Sequence, residues 1–341
     1  MKCINTTDAV GHVLCHDITR IVKDVVKDTA FRKGHIVTEE DIPVLLSLGK
    51  DHLYVWEKDE NTLHENEAAE ILCAVCRNEN MHPTDVKEGK IELVADCDGL
   101  FRVDVPRLDA INEIDEIMIA TRHNNTPVKK GDRLLGTRVI PLVIAKEKLE
   151  RVKEAAGSEP LVSLTPYKPM KAGIVTTGNE VYYGRIKDTF TPVIIDKLAS
   201  YGIKVSGHIL CDDNMEKITN AILQLKEEGA DLILCTGGMS VDPDDQTPGA
   251  IKQTGARIVS YGAPVLPGAM FLLAYLEDGT PIMGLPGCVM YAKATVFDLV
   301  LPRIAAGVEV TKKDLAHMGN GGFCLGCKTC HYPNCGFGKG V

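Results

Sequence analysis

The pattern of apolar and polar positions changes character near residue 170. Beyond Lys171, short apolar runs alternate with amphipathic stretches. Ala172 to Thr177 reads as a strand, a helix is predicted near 190–201, and Ile203 to Leu210 reads as the next strand. Met215, Ile218, Ile222 and Leu225 then recur at spacings of 3, 4 and 3, which is one face of a helix. Asp231-Leu232-Ile233-Leu234-Cys235-Thr236 is a third strand, apolar on both faces, and a last helix is expected over 290–304. Strands of this kind, alternating with helices, predict an α/β fold: a three-layer, doubly wound, mostly parallel sheet.

Before residue 170 the texture is finer. Residues 1–57 read as a small α+β segment. In it, Thr38-Glu39-Glu40-Asp41 resembles a helix start, Ile42 to Leu46 is the apolar stretch and Gly49 the stop. Leu53-Tyr54-Val55-Trp56 closes it, with Trp56 expected to cap a strand in a core. Residues 58–150 open with a helix near Glu67 to Arg77, and the acids from Glu57 to Glu70 read as a solvated face. β-rich pieces follow at 91–95, 100–105, 117–120 and 139–144. Residues 151–170 read as a helix end, Lys153 to Ala156, that gives way at Gly157 to a linker with Pro160, Pro166 and Pro169, leading into the α/β domain of 168–306. Residues 307–341 differ again: seven glycines and four cysteines fall between Gly319 and Gly340, too little apolar surface for a core of their own.

The chain has 341 residues and a formal charge of −9, a poor balance for general binding to nucleic acid or anionic membrane. No apolar run reaches the roughly 18 residues of a membrane span. The start at Met1-Lys2-Cys3 shows no secretory apolar region, so the expected address is the cytoplasm. There the 12 cysteines should be thiols or metal ligands. Cys73 and Cys76 read as buried helix residues. His12, His16, His35 and His123 lack spaced partners and read as satisfied or exposed.

In a doubly wound sheet ligands bind outside the carboxyl ends of the strands. Three loops leave such ends: Thr176-Thr177-Gly178-Asn179-Glu180, Cys211-Asp212-Asp213-Asn214, and Thr236-Gly237-Gly238 running on to Thr247-Pro248. Each has a small or Gly-rich turn and at least one carboxylate. Glycines let backbone N–H groups approach an oxyanion, and a cation must lie between the carboxylates and any phosphate. The combination suggests a phosphate-bearing ligand with Mg²⁺. Taken singly, Asp212, Asp213 and Asp245 read as helix caps; three such loops on one edge favour a site.

These residues resemble the molybdopterin-binding domain of molybdenum cofactor biosynthesis, shared by molybdopterin adenylyltransferase and molybdopterin molybdotransferase. The matching pieces are Thr177-Gly178-Asn179-Glu180, Gly184 to Thr189, Asp212-Asp213, Thr236 to Val241, Asp245-Gln246-Thr247-Pro248, Pro267-Gly268 and Gly284-Leu285-Pro286-Gly287. The resemblance implies that Glu180, Asp213 and Asp245 are the catalytic carboxylates, serving Mg²⁺, adenylylated molybdopterin and molybdate. It assigns cofactor contacts to Thr177, Gly178, Asp188, Thr189, Asp212, Gly237, Gly238, Ser240, Thr247, Pro267, Gly268, Gly284, Pro286 and Gly287. The implied reaction is molybdate insertion into adenylylated molybdopterin with release of AMP. Six positions, at four places, depart from the family pattern: Phe190 for Asn, Ala269-Met270 for Lys-Pro, Cys288-Val289 for Asn-Pro, and Asp242 for Gly. A lost Lys and an added Asp both disfavour an anionic ligand. Two further readings therefore stay open: a non-catalytic carrier or regulator of the molybdenum cofactor, and a nucleotide pyrophosphatase on the same fold.

Cys324, Cys327, Cys330 and Cys335 give C-x₂-C-x₂-C-x₄-C, four thiolates within twelve residues. They can close around one metal, as a Cys₄ zinc site or an iron–sulfur cluster; His331 could replace one thiolate, and Lys328 and Lys339 offset charge. The partners expected are molybdopterin and molybdate, with molybdenum enzymes or other biosynthesis proteins as docking targets for the tail. Homo-oligomerisation is left open.

Overall fold

The computed structural model describes residues 2–22, 26–55, 61–240, 242–243 and 245–340. The expected strand cap Trp56, the acids from Glu57 to Glu60, and Val241 of the Gly-Gly loop therefore lie outside the described residues. The chain forms two units: residues 1–96, 103–122 and 130–164 in the first, and 97–102, 123–129 and 165–341 in the second. No helix among the described residues is long and apolar enough to cross a membrane.

The first unit is built on an antiparallel sheet in the order Met81–Pro83, Lys90–Ala95, Arg133–Val139, Ile117–Thr121. Ile91, Leu93 and Ala95 are buried while Lys90 is exposed, so alternation turns one face toward the helix Glu65–Cys76. That helix buries Ala68, Ala69, Leu72, Cys73 and Cys76. Burial pushes the Cys76 thiol up to about 12, as suits a core residue. The helix Val105–Asn112 replaces the end of the expected strand, while Lys146–Ala156 is the helix whose end is expected at Lys153 to Ala156, stopped by Gly157. The apolar run 100–105 stops being a strand at Val103 because the Asp104 side chain accepts the Arg107 N–H and Pro106 sits in the first turn. Near the N-terminus the helix spans Asp41–Ser47. Thr38 donates both its N–H and its hydroxyl to Asp41 Oδ2 at 2.8 Å, so Asp41, not Thr38, supplies the acceptor.

The second unit contains the α/β sheet. Its elements are β1 (Lys171–Thr177), α1 (Asn179–Tyr182), α2 (Phe190–Ala199), β2 (Lys204–Cys211), α3 (Met215–Glu227), β3 (Leu232–Thr236), α4 (Thr247–Gln253), β4 (Arg257–Tyr261), β5 (Leu272–Tyr275), β6 (Pro281–Leu285), α5 (Val296–Ala305) and α6 (Lys312–His317). The strand order is β2-β1-β3-β6-β5-β4. β2, β1, β3 and β6 are parallel, whereas β5 runs antiparallel to both β6 and β4. The sheet is therefore mixed, and the β5–β6 hairpin has no counterpart among the predicted elements.

Strand residues alternate between two apolar clusters. Ile174, Leu234 and Met283 join Ile194 and Leu198 of α2 and Val300 and Ile304 of α5. Val175, Ile233 and Ile282 join Ile218, Ile222 and Leu225 of α3 and Ile251 of α4. Met215, the first member of the predicted apolar face, stays at the margin, 36% exposed. The helix expected over 290–304 divides into a 3-10 turn at Gly287–Met290 and α5. Thr295 restarts it, its hydroxyl accepting the Phe297 N–H while Asp298 accepts the Thr295 N–H.

Candidate functional site

β1, β2 and β3 end side by side, and their loops carry the predicted carboxylates to one edge. Gly178, at φ +126°, lets β1 turn straight into α1. This leaves the Asn179 N–H free to donate to Asp213 Oδ2, 3.0 Å away beyond the end of β2. Gly237 follows β3 at φ +82°, and a Cβ there would stand 2.2 Å from the Thr177 carbonyl oxygen. Only glycine permits that approach. The two strand ends are further joined by hydroxyls. Thr177 donates to the Thr236 carbonyl at 3.2 Å, and Thr247 donates to the Gly237 carbonyl at 2.8 Å.

The electrostatics of this edge are unbalanced. Burial raises the Asp213 carboxyl above its ordinary range, and the charges of Glu180, Asp245 and Asp212 push it the same way, against the Asn179 hydrogen bond. Four carboxylates thus share one neighbourhood. Asp212 Oδ2 is paired with Lys217 at 2.6 Å, but its Oδ1 is buried without a hydrogen-bond partner among the described residues. Asp245 Oδ2 is orphaned in the same way. A buried carboxylate oxygen without a donor is costly, and its usual resolution is a cation or a donor from a ligand. Among the described residues, no three His, Cys, Asp or Glu side chains are already drawn into a metal-holding group.

The other predicted residues fall into different places. Asp188 Oδ1 accepts the Phe190 and Thr191 N–H groups at 2.8 and 3.0 Å and so caps α2. Burial raises its carboxyl, but the Thr191 hydroxyl, together with these two N–H groups, outweighs burial and holds it below the usual range. The Thr189 hydroxyl meets Met290 Sδ at 3.1 Å, which ties this loop to the turn after Pro286 and Gly287. Gly284 lies within β6, where a Cβ would come 2.5 Å from the Met239 side chain, so it makes room for packing. Pro267 and Gly268 sit beside the start of α5, Gly268 against Val296. Ser240 is exposed, and its carbonyl accepts a hydrogen bond from Tyr261.

Two residues escaped the sequence reading. The Tyr261 hydroxyl donates to the carbonyls of Met239 at 2.9 Å and Ser240 at 3.1 Å, pinning the Gly-Gly loop. Lys217 neutralises one oxygen of Asp212. Lys217 could have been found as the basic residue one turn into the helix after Asp212; no spacing points to Tyr261.

The four tail cysteines are free thiols: Cys327 and Cys330 are exposed, while Cys324 and Cys335 are partly buried. The tail, which has too little apolar surface for a core of its own, borrows that of the α/β domain. Phe337 is buried in the main core, with Cys324, Tyr332 and Cys335 packed against it.

A cavity of about 850 Å³ opens at the opposite edge of the sheet, among Met170, Asp231, Arg257, Tyr275, Asp278 and Pro281. Two of its charges are already balanced, Arg257 by Glu309 at 2.7 Å and Asp278 by Lys226 at 2.6 Å. We place the candidate chemistry at the carboxylate edge, where charge is unbalanced, and not in this hollow.

Residues 173–306 match a family described as a probable molybdopterin binding domain, and residues 3–57 match a domain of unknown function. Among curated proteins, a CinA-like protein of Mycolicibacterium gilvum is 31% identical over 158 residues, 39% of this chain and 37% of that protein. A CinA-like protein of Mycobacterium avium is 38% identical over 95 residues, 28% of this chain and 22% of that protein. The chain thus spans well under half the length of these curated relatives. Among solved structures, the molybdopterin biosynthesis enzyme MoaB from Thermus thermophilus is 24% identical with a TM-score of 0.34, covering 40% of this chain and 97% of that one.

Proposed function

Because residues 173–306 match a family described as a probable molybdopterin binding domain, we propose that this protein serves molybdenum cofactor biosynthesis by inserting molybdate into adenylylated molybdopterin, with release of AMP. The observation that carries the reading is the gathering of Glu180, Asp212, Asp213 and Asp245 beside Gly237-Gly238, with two buried carboxylate oxygens that have no donor among the described residues.

Each residue has a task in this reading. The backbone N–H groups of the Gly237-Gly238 turn, opened by positive φ, approach a ligand phosphate. Thr177 and Thr247 hold that turn against β1, and Tyr261 holds its far side, so the donors are aimed before the ligand arrives. Asp212 and Asp245 would hold Mg²⁺ through their orphaned oxygens; bound there, it would neutralise phosphate and molybdate charge. Glu180 and Asp213 complete the acidic wall. The bond-making atoms belong to the cofactor dithiolene and molybdate, so the protein's contribution is alignment and charge balance.

A second reading, a carrier that binds the cofactor without turning it over, is favoured by Asp242 and by Ala269-Met270 in the Pro267 loop, which lower the positive potential available to an anion. One experiment separates the two. The full chain is mixed with adenylylated molybdopterin, Mg²⁺ and molybdate, and AMP is measured. Molybdate-dependent AMP release supports insertion. Tight cofactor binding without AMP release supports the carrier. Absence of cofactor binding overturns both.

A further inference from the structure

The sequence feature that the carboxylate edge leaves unused is the thiol segment 324–335. Its two ends are zipped together and fastened to the core. On the entry side Leu266 donates its N–H to the Gly322 carbonyl at 2.8 Å, and Cys324 donates its N–H to the Leu266 carbonyl at 2.8 Å. On the exit side the Tyr332 hydroxyl donates to the Asp298 carbonyl at 2.6 Å, at the start of α5. Gly338 donates to Gly321 at 2.8 Å and Gly340 to Asn320 at 3.1 Å, which brings the strands leading in and out side by side. Gly338 has φ +65°, and a Cβ there would lie 2.0 Å from Leu299, so this closure requires glycine.

What lies between the fastened ends has nothing apolar to order it. Leu325 is 82% exposed, and Cys327 and Cys330 are exposed free thiols. Cys324 and Cys335 rest on the same apolar cluster. A loop whose ends are already joined needs little further entropy loss to turn its middle inward. Gly326, beside Cys327, has φ +63° and open space where a Cβ would lie.

We propose that Cys324, Cys327, Cys330 and Cys335 bind one Zn²⁺ ion and that this ion clamps the backbone at Leu266, next to the Pro267-Gly268 loop. Soft thiolate donors select zinc over hard cations, and a complete Cys₄ set makes a closed, structural site. Cys327 and Cys330 turn inward as the ion binds, and the four thiols release their protons to solvent. The hydrogen-bonded pair of Leu266 and Cys324 transmits the order, because the first ligand is itself bonded to the backbone it clamps.

The test uses the full chain, purified anaerobically with reductant, stripped of metal and given Co²⁺ and then Zn²⁺, with no pterin present. Its outcome is therefore independent of the carboxylate edge. The expected result is one Co²⁺ per chain with thiolate-to-cobalt absorption, displaced by one Zn²⁺. Cys327→Ser and Cys330→Ser, both at exposed positions, should each weaken binding at least about tenfold, a loss that even residues behind a ligand cause. Cys3→Ser, an exposed thiol in the other unit, should change nothing. Zinc should also slow amide exchange at Leu266 and Cys324. No thiolate–cobalt absorption, binding that survives both serine variants, or iron with acid-labile sulfide in the protein as purified would overturn the zinc site. Unchanged exchange at Leu266 would overturn the clamp.

Discussion

The two edges of the α/β sheet differ in how their charges are partnered. At the amino ends of the strands the cavity is large, yet Arg257 and Asp278 are each matched by a partner within 2.7 Å. At the carboxyl ends, four carboxylates crowd together, one Lys217 meets them, and two buried oxygens have no donor among the described residues. Paired charge is finished structure. Unpaired buried charge is a site that folding alone does not complete. Volume is a poorer guide than this imbalance.

The largest expected effect breaks the carboxylate edge. On the proposed insertion reading, Asp245→Asn should lower molybdate-dependent AMP release about 100-fold or more, since it removes charge at the proposed reacting centre. Arg257→Met at the other edge should leave that rate unchanged. A rate assay of both variants makes the comparison, and equal losses would erase the distinction between the edges.

Next in size is Gly237→Ala. Its Cβ would meet the Thr177 carbonyl at 2.2 Å in a positive-φ conformation, so a loss of about 1–3 kcal/mol is expected in urea unfolding. Gly279→Ala, also at positive φ but with nothing within 4 Å, isolates the conformational part and should cost less.

Asp213→Asn should stabilise the protein, by about 1 kcal/mol or less once solvent screening is counted. The native Asp213 carboxyl titrates above its unfolded value. Its ionisation therefore removes stability as pH rises from the unfolded value through the raised native one. The variant's advantage should be full at neutral pH and vanish in acid, where both states hold the proton. Thermal melts across pH would show this. Mg²⁺ should narrow the gap by stabilising the wild type more.

The smallest effect tests the paired edge. Lys226 and Asp278 are 32% and 51% exposed, so Lys226→Met should cost no more than about 0.5 kcal/mol. The Lys226 hydrogen bond holds the Asp278 carboxyl down at about 2. Whatever that pair contributes is present above the unfolded carboxylate's pKa of about 4 and fades as pH falls toward 2. A pH-dependent loss larger than the one at Asp213 would contradict the contrast between the edges.

Much of this could be read in the chain. The parallel strands at 171–177 and 232–236 announce themselves because both faces of each are covered and local apolar runs must satisfy both, whereas 204–211 is the edge strand and alternates exposed with half-buried positions. The β5–β6 hairpin did not, because Leu272–Tyr275 is buried at every position and shows no alternation to separate it from a buried helix. Val105–Asn112 was hidden by an apolar run, Leu100 to Val105, that crosses a strand end; the turn depends on what Asp104 finds to bind. Among site residues, Glu180, Asp213 and Asp245 were legible as loop carboxylates after strands, whereas Tyr261 acts from 21 residues beyond the carbonyl of Ser240 that it holds.

The alternation of elements after Lys171, the Gly-acid loops at their strand ends and the thiol spacing of the tail are properties of neighbouring residues, so the linear chain suffices to state them. Which acids share a field, which of their oxygens lack donors, and where the thiol segment is fastened are properties of residues distant in sequence. Asn179 meets Asp213, Thr177 meets Thr247, and Leu266 meets Cys324 only after the parallel strands have set their register. Register is a collective result of burying both faces of the sheet at once, and no local spacing encodes it.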